Sequence, residues 1–275
     1  MSKPTTAAGY TLAQLQQVRA TCLELASILG DLLEDLVVVG GLVPSLLVDA
    51  ARPGVEAHVG TTDLDLGLEL VLLRSERYHA LADRLRGSGF EPDTNEQGNL
   101  TRQRWRHPQT NAKVDFLMPP IEERQRGGTL QNLEADLAAV VMPGLGLAFR
   151  DRMVVPLDGR TLRGEALRRE IPVCGPGAFV VLKALALRQR GENKDAYDLV
   201  YVLNHYGASV DDVAERLRPL MSDPVARDAI GCLREDFAGL DSVGPMRAAT
   251  FLSREADDDF KADVVGLVAR LVESL

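Results

Sequence analysis

Residues Thr61-Thr62-Asp63-Leu64-Asp65-Leu66-Gly67-Leu68-Glu69-Leu70 decide how this chain is read. Leu64, Leu66, Leu68 and Leu70 recur at every second position, the period of a strand with one buried face. The pattern predicts a strand from 63 to 71, with Asp63 and Asp65 on one face and roughly 6–7 Å apart along the chain. Upstream, Leu36 to Val39 forms a short apolar strand ending at Gly40-Gly41. Downstream, Asp115 interrupts the apolar run Lys113-Val114-Asp115-Phe116-Leu117. An acid between Val114 and Phe116 bears a desolvation cost unless a cation or donor faces it. Two carboxylates on one strand face and a third on a neighbouring strand suit a pair of Mg²⁺ ions and a triphosphate. Such ions take hard oxygen ligands and keep positions for water and phosphate. A solvated face of an edge strand gives the same alternation for Asp63 and Asp65; Asp115 favours the metal reading.

Outward from this stretch the pattern is mixed. Thr11 is placed to cap a helix running to Leu29, with Leu12, Leu15, Val18, Cys22, Leu25 and Leu29 at helical spacing. A helix is expected from Val43 to Asp49 with Leu46 and Leu47 inward, then a loop from Ala51 to Gly60. Ser75 is placed to cap a helix reaching Arg86. Strands are expected at Leu100–Arg106 and Lys113–Met118, joined by a turn carrying His107-Pro108 and Asn111. A helix is expected at Leu130–Val141, and strands at Leu147–Pro156 and Ile171–Val173. From Gly177 the pattern is helical to the end, and Asp257-Asp258-Asp259 reads as a helix end or loop facing water. The expected architecture is α+β: a strand-rich half over 1–174, then an all-helical 175–275, divided where Gly175-Pro176-Gly177 breaks the chain.

The 275 residues allow one large or two modest domains, and 45% hydrophobic with 26% charged residues is an ordinary globular composition. No apolar run approaches the roughly 18–20 residues of a membrane span, and the first ten residues lack the order of a secretory signal. Cys22, Cys174 and Cys232 have no metal-ligand spacing and read as buried thiols in a reducing cytoplasm. The net charge of −9 argues against a generic nucleic-acid binder. Residues 100–194 nevertheless hold 16 Lys/Arg against 10 Asp/Glu. That basic third either forms a positive face or is an uneven solvated surface.

A second constellation runs from Lys183 through Arg188, Arg190, Asn193, Lys194 and Asp195 to Asp198. Gly191 is placed to end one helix and Asn193 to cap the next. Lys183 sits among Val180, Val181, Leu182, Ala184 and Leu185, where a lone cation needs a partner, and a nucleotide phosphate would serve. Lys194 and Asp198 at i, i+4 are otherwise an ordinary surface pair. Gly40-Gly41 lets backbone N–H groups approach an anion, although a tight turn alone also uses glycine. Arg102, Arg104 and Arg106 would contact phosphates and Trp105 would stack on an RNA base, unless Trp105 is core.

The order Gly-Gly, Asp-x-Asp, an apolar-flanked Asp, then Lys…Arg…Lys-Asp-x-x-Asp resembles the AbiEii/MenT nucleotidyltransferase-like toxins, of the DNA polymerase β-type nucleotidyltransferase superfamily. The resemblance covers residues 36–206. The 21 residues between Gly41 and Asp63 exceed the family's usual spacing. The resemblance implies a nucleotidyltransferase-fold mixed sheet flanked by helices, with a helical domain completing the active-site cleft. It implies that Gly40, Gly41 and Lys183 contact the nucleoside triphosphate and that Asp63, Asp65 and Asp115 bind Mg²⁺, Asp115 also helping to activate the attacking hydroxyl. Asp195 and Asp198 would belong to the nucleotide-binding helical motif. The implied acceptor is an RNA end, notably a tRNA 3′ end, and the implied partner a cognate antitoxin protein.

The chemistry expected is attack of an acceptor hydroxyl on the α-phosphorus with release of pyrophosphate. A small-molecule nucleotidyltransferase of the aminoglycoside-modifying kind shares the same first half. A catalytically silent nucleotide- or RNA-binding module is the non-enzymatic alternative. Thr61 and Thr62, beside the acids, are either strand-starting residues or phosphorylation sites whose charge would block nucleotide binding.

Overall fold

The computed structural model describes residues 3–69, 75–122 and 125–275. In chain order the elements are α1 (Leu12–Leu29), β1 (Leu36–Val39), α2 (Val43–Leu47), β2 (Leu64–Leu68), α3 (Ser75–Gly87), β3 (Glu91–Thr94), β4 (Leu100–His107) and β5 (Ala112–Met118). There follow β6 (Leu130–Asn132), β7 (Ala138–Val141), α4 (Gly146–Arg150), β8 (Arg152–Arg160) and β9 (Ala166–Cys174). The remainder is α5 (Pro176–Arg190), α6 (Asn193–His205), α7 (Val210–Leu217), α8 (Pro224–Asp236), α9 (Val243–Leu252) and α10 (Asp258–Glu273). The protein is mixed α/β, with an open mixed sheet and ten α-helices among the described residues. None of those helices is long and apolar enough to cross a membrane.

The chain forms two compact units. A sheet unit comprises Leu12–Val43 and Thr61–Cys174; a helical unit comprises Met1–Thr11, Pro44–Gly60 and Gly175–Leu275. The long spacer after Gly41 therefore has a structural explanation: most of it belongs with the helices. Arg52 donates to the carbonyls of His205 and Gly207, and the Tyr201 hydroxyl donates to the Glu56 carbonyl.

In the sheet unit the strand order is β3-β4-β5-β2-β1-β9-β8, and β7 pairs with both β5 and β6. Burial alternates along β5, whereas all four residues of the central β1 are buried. In β5, Ala112, Val114, Phe116 and Met118 are buried while Lys113, Asp115 and Leu117 are half-buried. Each fully buried Val, Leu or Phe contributes about 1.5–3 kcal/mol. The apolar face of the sheet, including Val38, Leu64, Phe116 and Ile171, is thereby committed to the core. α1 packs on β2, β5, β8 and β9 through a buried stripe that includes Val18, Cys22, Leu25 and Leu29. Its first residue, Leu12, is exposed.

Several expected elements differ. Residues 130–141 form two short strands instead of a helix. Ala138–Val141 pairs in parallel with β5, setting Leu117 opposite Val140, and Leu133–Leu137 makes the turn back to β6. Helix-favouring Ala, Leu and Glu in this run are overridden by sheet pairing and by complete burial of Ala138 and Ala139. The strand expected at 147–156 is shifted: Leu147 and Ala148 are buried on the short α4, and the strand begins at Arg152. β3 was not signalled by the sequence. Residue 71, expected to end the Asp63 strand, lies outside the described residues, as does the Ser75 side chain expected to cap α3.

In the helical unit α5 packs on α6, α7 and α8, and α6 on α9 and α10. Gly191 ends α5 in the left-handed conformation, with φ of 62°, as expected. Glu192, not Asn193, holds the cap position of α6. Asn193 is its first helical residue and bonds Arg247 and the Thr5 carbonyl. Asp257 caps α10 by accepting from the Phe260 N–H.

Candidate metal and nucleotide site

Strand register brings the three acids together. β2 and β5 run parallel with Asp65 opposite Asp115, and Asp63 precedes Asp65 by two residues. Oxygen atoms of Asp63, Asp65 and Asp115 all lie within 4.8 Å of one another, close enough to hold one metal ion. The face expected to point to water is not fully wet, since the Asp63 side chain is only 4% exposed. The Thr61 hydroxyl donates to Asp63 Oδ1 at 3.2 Å and Thr61 is buried, so its hydroxyl is a support of the cluster and not an accessible phosphorylation site.

Gly40 explains its own identity. It has φ of +70°, and a Cβ there would stand 1.9 Å from Asp65 Oδ2. β1 pairs with β2 so that Val39 faces Asp65, and the next residue turns directly against that carboxylate. Both the backbone and the space therefore require glycine. Gly40, Gly41 and Leu42 form a single 3₁₀ turn after β1, with Gly41 buried.

A cation, Arg104, faces the acids. β4 and β5 are antiparallel with Arg104 opposite Asp115. Its Nε donates to Asp115 Oδ1 at 2.6 Å, its Nη2 to Asp115 Oδ2 at 2.5 Å, and the same Nη2 lies 3.2 Å from Asp63 Oδ2. The bidentate bond to Asp115 raises the Arg104 pKa further above its ordinary value, so the guanidinium is always charged. Arg104 was expected to contact phosphate, and its pairing with the acids was missed. Trp105, the next residue, is fully buried, which makes it core and not a stacking surface. Arg106 pairs with Glu91.

The second constellation is a buried network on α5, α6 and the 44–60 segment. Lys183 Nζ lies 2.9 Å from Asp195 Oδ1 and 2.6 Å from Asp198 Oδ2. Arg190 grips Asp195 with two bonds, at 2.7 and 2.8 Å. Lys194 Nζ reaches Asp198 Oδ1 at 2.6 Å, and both residues are buried, so this is not the surface pair their spacing allows. The partner Lys183 needs is thus supplied from within the chain. Burial opposes the charged form of Lys183, but Asp195 and Asp198 outweigh it and raise its pKa. Burial likewise opposes ionised Asp198, and Lys183 and Lys194 outweigh it and hold its pKa below the ordinary range.

His58 completes this network and was missed by sequence reading. Its Nε2 lies 2.8 Å from Asp198 Oδ1, and its Nδ1 accepts the Gly60 N–H at 3.0 Å. An Nδ1 that accepts leaves the proton on Nε2, so a neutral ring donates to Asp198. Burial lowers the His58 pKa to about 4 despite the nearby carboxylate. The ring stacks on Tyr197 at 5.2 Å and meets Tyr201 edge-on at 4.9 Å. Tyr197, Tyr201, Phe251 and Val48 form the hydrophobic cluster around it.

Comparison of the chain with protein-family models and with curated proteins finds no match.

Proposed function

We propose that this protein is a metal-dependent nucleotidyltransferase whose acid site is Asp63, Asp65 and Asp115. The convergence of these side chains, with oxygens within 4.8 Å of one another, is the observation that carries the reading. The donor set fits the group: carboxylate oxygens alone, with no sulfur or imidazole, suit Mg²⁺, and the superfamily resemblance implies two such ions. Asp63, Asp65 and Asp115 would hold Mg²⁺, which would supply charge neutralisation for the triphosphate and lower the pKa of an acceptor hydroxyl. Asp115 takes up the acceptor proton as the hydroxyl attacks the α-phosphorus and pyrophosphate leaves. Gly40 and Gly41 present backbone N–H groups to the triphosphate, in the turn that also makes room for Asp65.

Lys183, Asp195 and Asp198 receive a different role from the one their motif implies. Their charges are satisfied among themselves and with Arg190, Lys194 and His58. We assign them to holding the helical unit in shape, as positioning residues. The acceptor in this reading is an RNA 3′ end, with a cognate antitoxin protein as partner. Both the RNA acceptor and the antitoxin are carried over from the superfamily resemblance, and the salt dependence of RNA binding tests the acceptor.

The test is incubation of the full chain with α-³²P-labelled nucleoside triphosphates, Mg²⁺ and total RNA. The expected result is label in RNA, abolished by chelator, with RNA binding that falls steeply with salt. Label in a small acceptor but not in RNA overturns the acceptor assignment. No transfer to any acceptor overturns the enzyme.

A further inference from the structure

We propose that Arg104 is a resident counter-cation of the acid site, which yields Asp63 to a divalent ion and then offers its guanidinium to the triphosphate. This rests on the nucleotidyltransferase reading, and its test separates the two.

The two contacts of Arg104 are unequal. It holds Asp115 through two parallel bonds of 2.6 and 2.5 Å, while Asp63 receives one contact of 3.2 Å from an Nη2 that also serves Asp115. A bidentate guanidinium–carboxylate pair is the stronger and more directional interaction. Asp63 is therefore the acid that can be surrendered without freeing the arginine. Burial sharpens this asymmetry: Asp63 is 4% exposed, Asp115 14% and Arg104 31%. The guanidinium covers the buried acid from the wetter side. Trp105, fully buried, fixes which face of β4 points into the core and so keeps Arg104 on the acid face.

The chemistry makes the arginine and a metal ion competitors. Both bind through carboxylate lone pairs, and Arg104 occupies Oδ2 of Asp63, one of the three acids whose oxygens could hold a metal. A dication carries twice the charge of the guanidinium and so draws Asp63 more strongly than the single Nη2 contact does. Once relieved of Asp63, the Nη2 keeps an N–H donor suited to a phosphate oxygen. Metal binding and triphosphate binding are then coupled, each promoting the other.

Calorimetric titration of the nucleotide-free full chain with Mn²⁺, alone and with inorganic tripolyphosphate, tests this. Arg104→Gln is expected to bind Mn²⁺ about tenfold more tightly than the native chain, because a repelling charge and a competing donor are gone. It should also lose the mutual enhancement of Mn²⁺ and tripolyphosphate binding that the native chain shows. Arg104→Lys keeps the charge without the fork, so it provides the comparison should the glutamine variant fail to fold, as a melt in chelator would reveal. It is expected to bind Mn²⁺ roughly threefold more tightly, with weakened enhancement. Native Mn²⁺ affinity with undiminished enhancement in the folded variants overturns the role of Arg104 and leaves the metal site standing. Failure of native and variant chains alike to bind Mn²⁺ overturns both.

Discussion

In the sheet unit, three carboxylates converge and Arg104 pairs with two of them; in the helical unit, two carboxylates are held by two lysines, an arginine and a neutral histidine. The residue types overlap, but the arrangements do opposite things. Asp195 and Asp198 are almost fully buried and accept bonds on every oxygen from groups within their own unit. Such a network is closed, and it fixes α5, α6 and the 44–60 segment in one arrangement. Asp63, Asp65 and Asp115 are crowded together, with Arg104 paired to Asp115 and Asp63. Carboxylates so close repel one another, and a divalent ion bound among them would relieve that repulsion. In the proposed reading the closed pairing of one cluster and the convergence of three acids in the other give them different roles, even though sequence motifs point to both.

The largest stability effect is expected at Lys183. Lys183→Met leaves Asp195 and Asp198 buried without a main counter-charge and should cost about 3–5 kcal/mol in urea unfolding. Asp115→Asn relieves crowding among the acids but gives up one of the two bonds from Arg104, and should cost less, about 1–2 kcal/mol. Equal losses from the two substitutions would break the contrast between a closed network and a strained one.

A smaller effect should follow pH through His58. Its folded pKa of about 4 lies below the ordinary histidine value near 6.5. Between these values the unfolded chain binds a proton that the folded chain does not, so stability is full above about pH 6.5 and falls as pH drops toward 4. The loss is on the order of 3 kcal/mol. His58→Gln, which can still donate to Asp198, should flatten that dependence in unfolding curves measured from pH 4 to 7. A slope unchanged by this substitution would place the titrating group elsewhere.

Gly40→Ala sharpens the description of the acid site. The added Cβ overlaps Asp65 Oδ2, and φ of +70° disfavours any side chain. A loss of about 1–3 kcal/mol is expected, together with weakened Mn²⁺ binding as Asp65 is displaced. Intact Mn²⁺ affinity in this variant would mean that Asp65 does not serve the metal.

Much of this was legible in the chain. The two-residue period of 63–70 and the isolated Asp115 gave the acids and their strands, because a sheet with one buried face writes itself into alternation. The helices after Gly177 were legible from their apolar spacing. Arg104 was within reach: the turn at His107–Asn111, with Asn111 at φ of 55°, pairs His107 with Ala112 and thereby Arg104 with Asp115. Counting back along the hairpin would have found it. His58 carried no local signal, since its partner Asp198 lies 140 residues away. The strands at 130–141 were hidden because their stability comes from pairing with β5, not from their own propensities.

The most direct measurement is Mg²⁺-dependent transfer of labelled nucleotide by Asp65→Asn beside the native chain, with a thermal melt of each. The substitution keeps the shape of the side chain and removes one ligand charge. A loss of about 10³-fold in transfer with an unchanged melting temperature is the predicted result. Transfer at the native rate by the folded variant would contradict the assignment of the acid cluster as the active site.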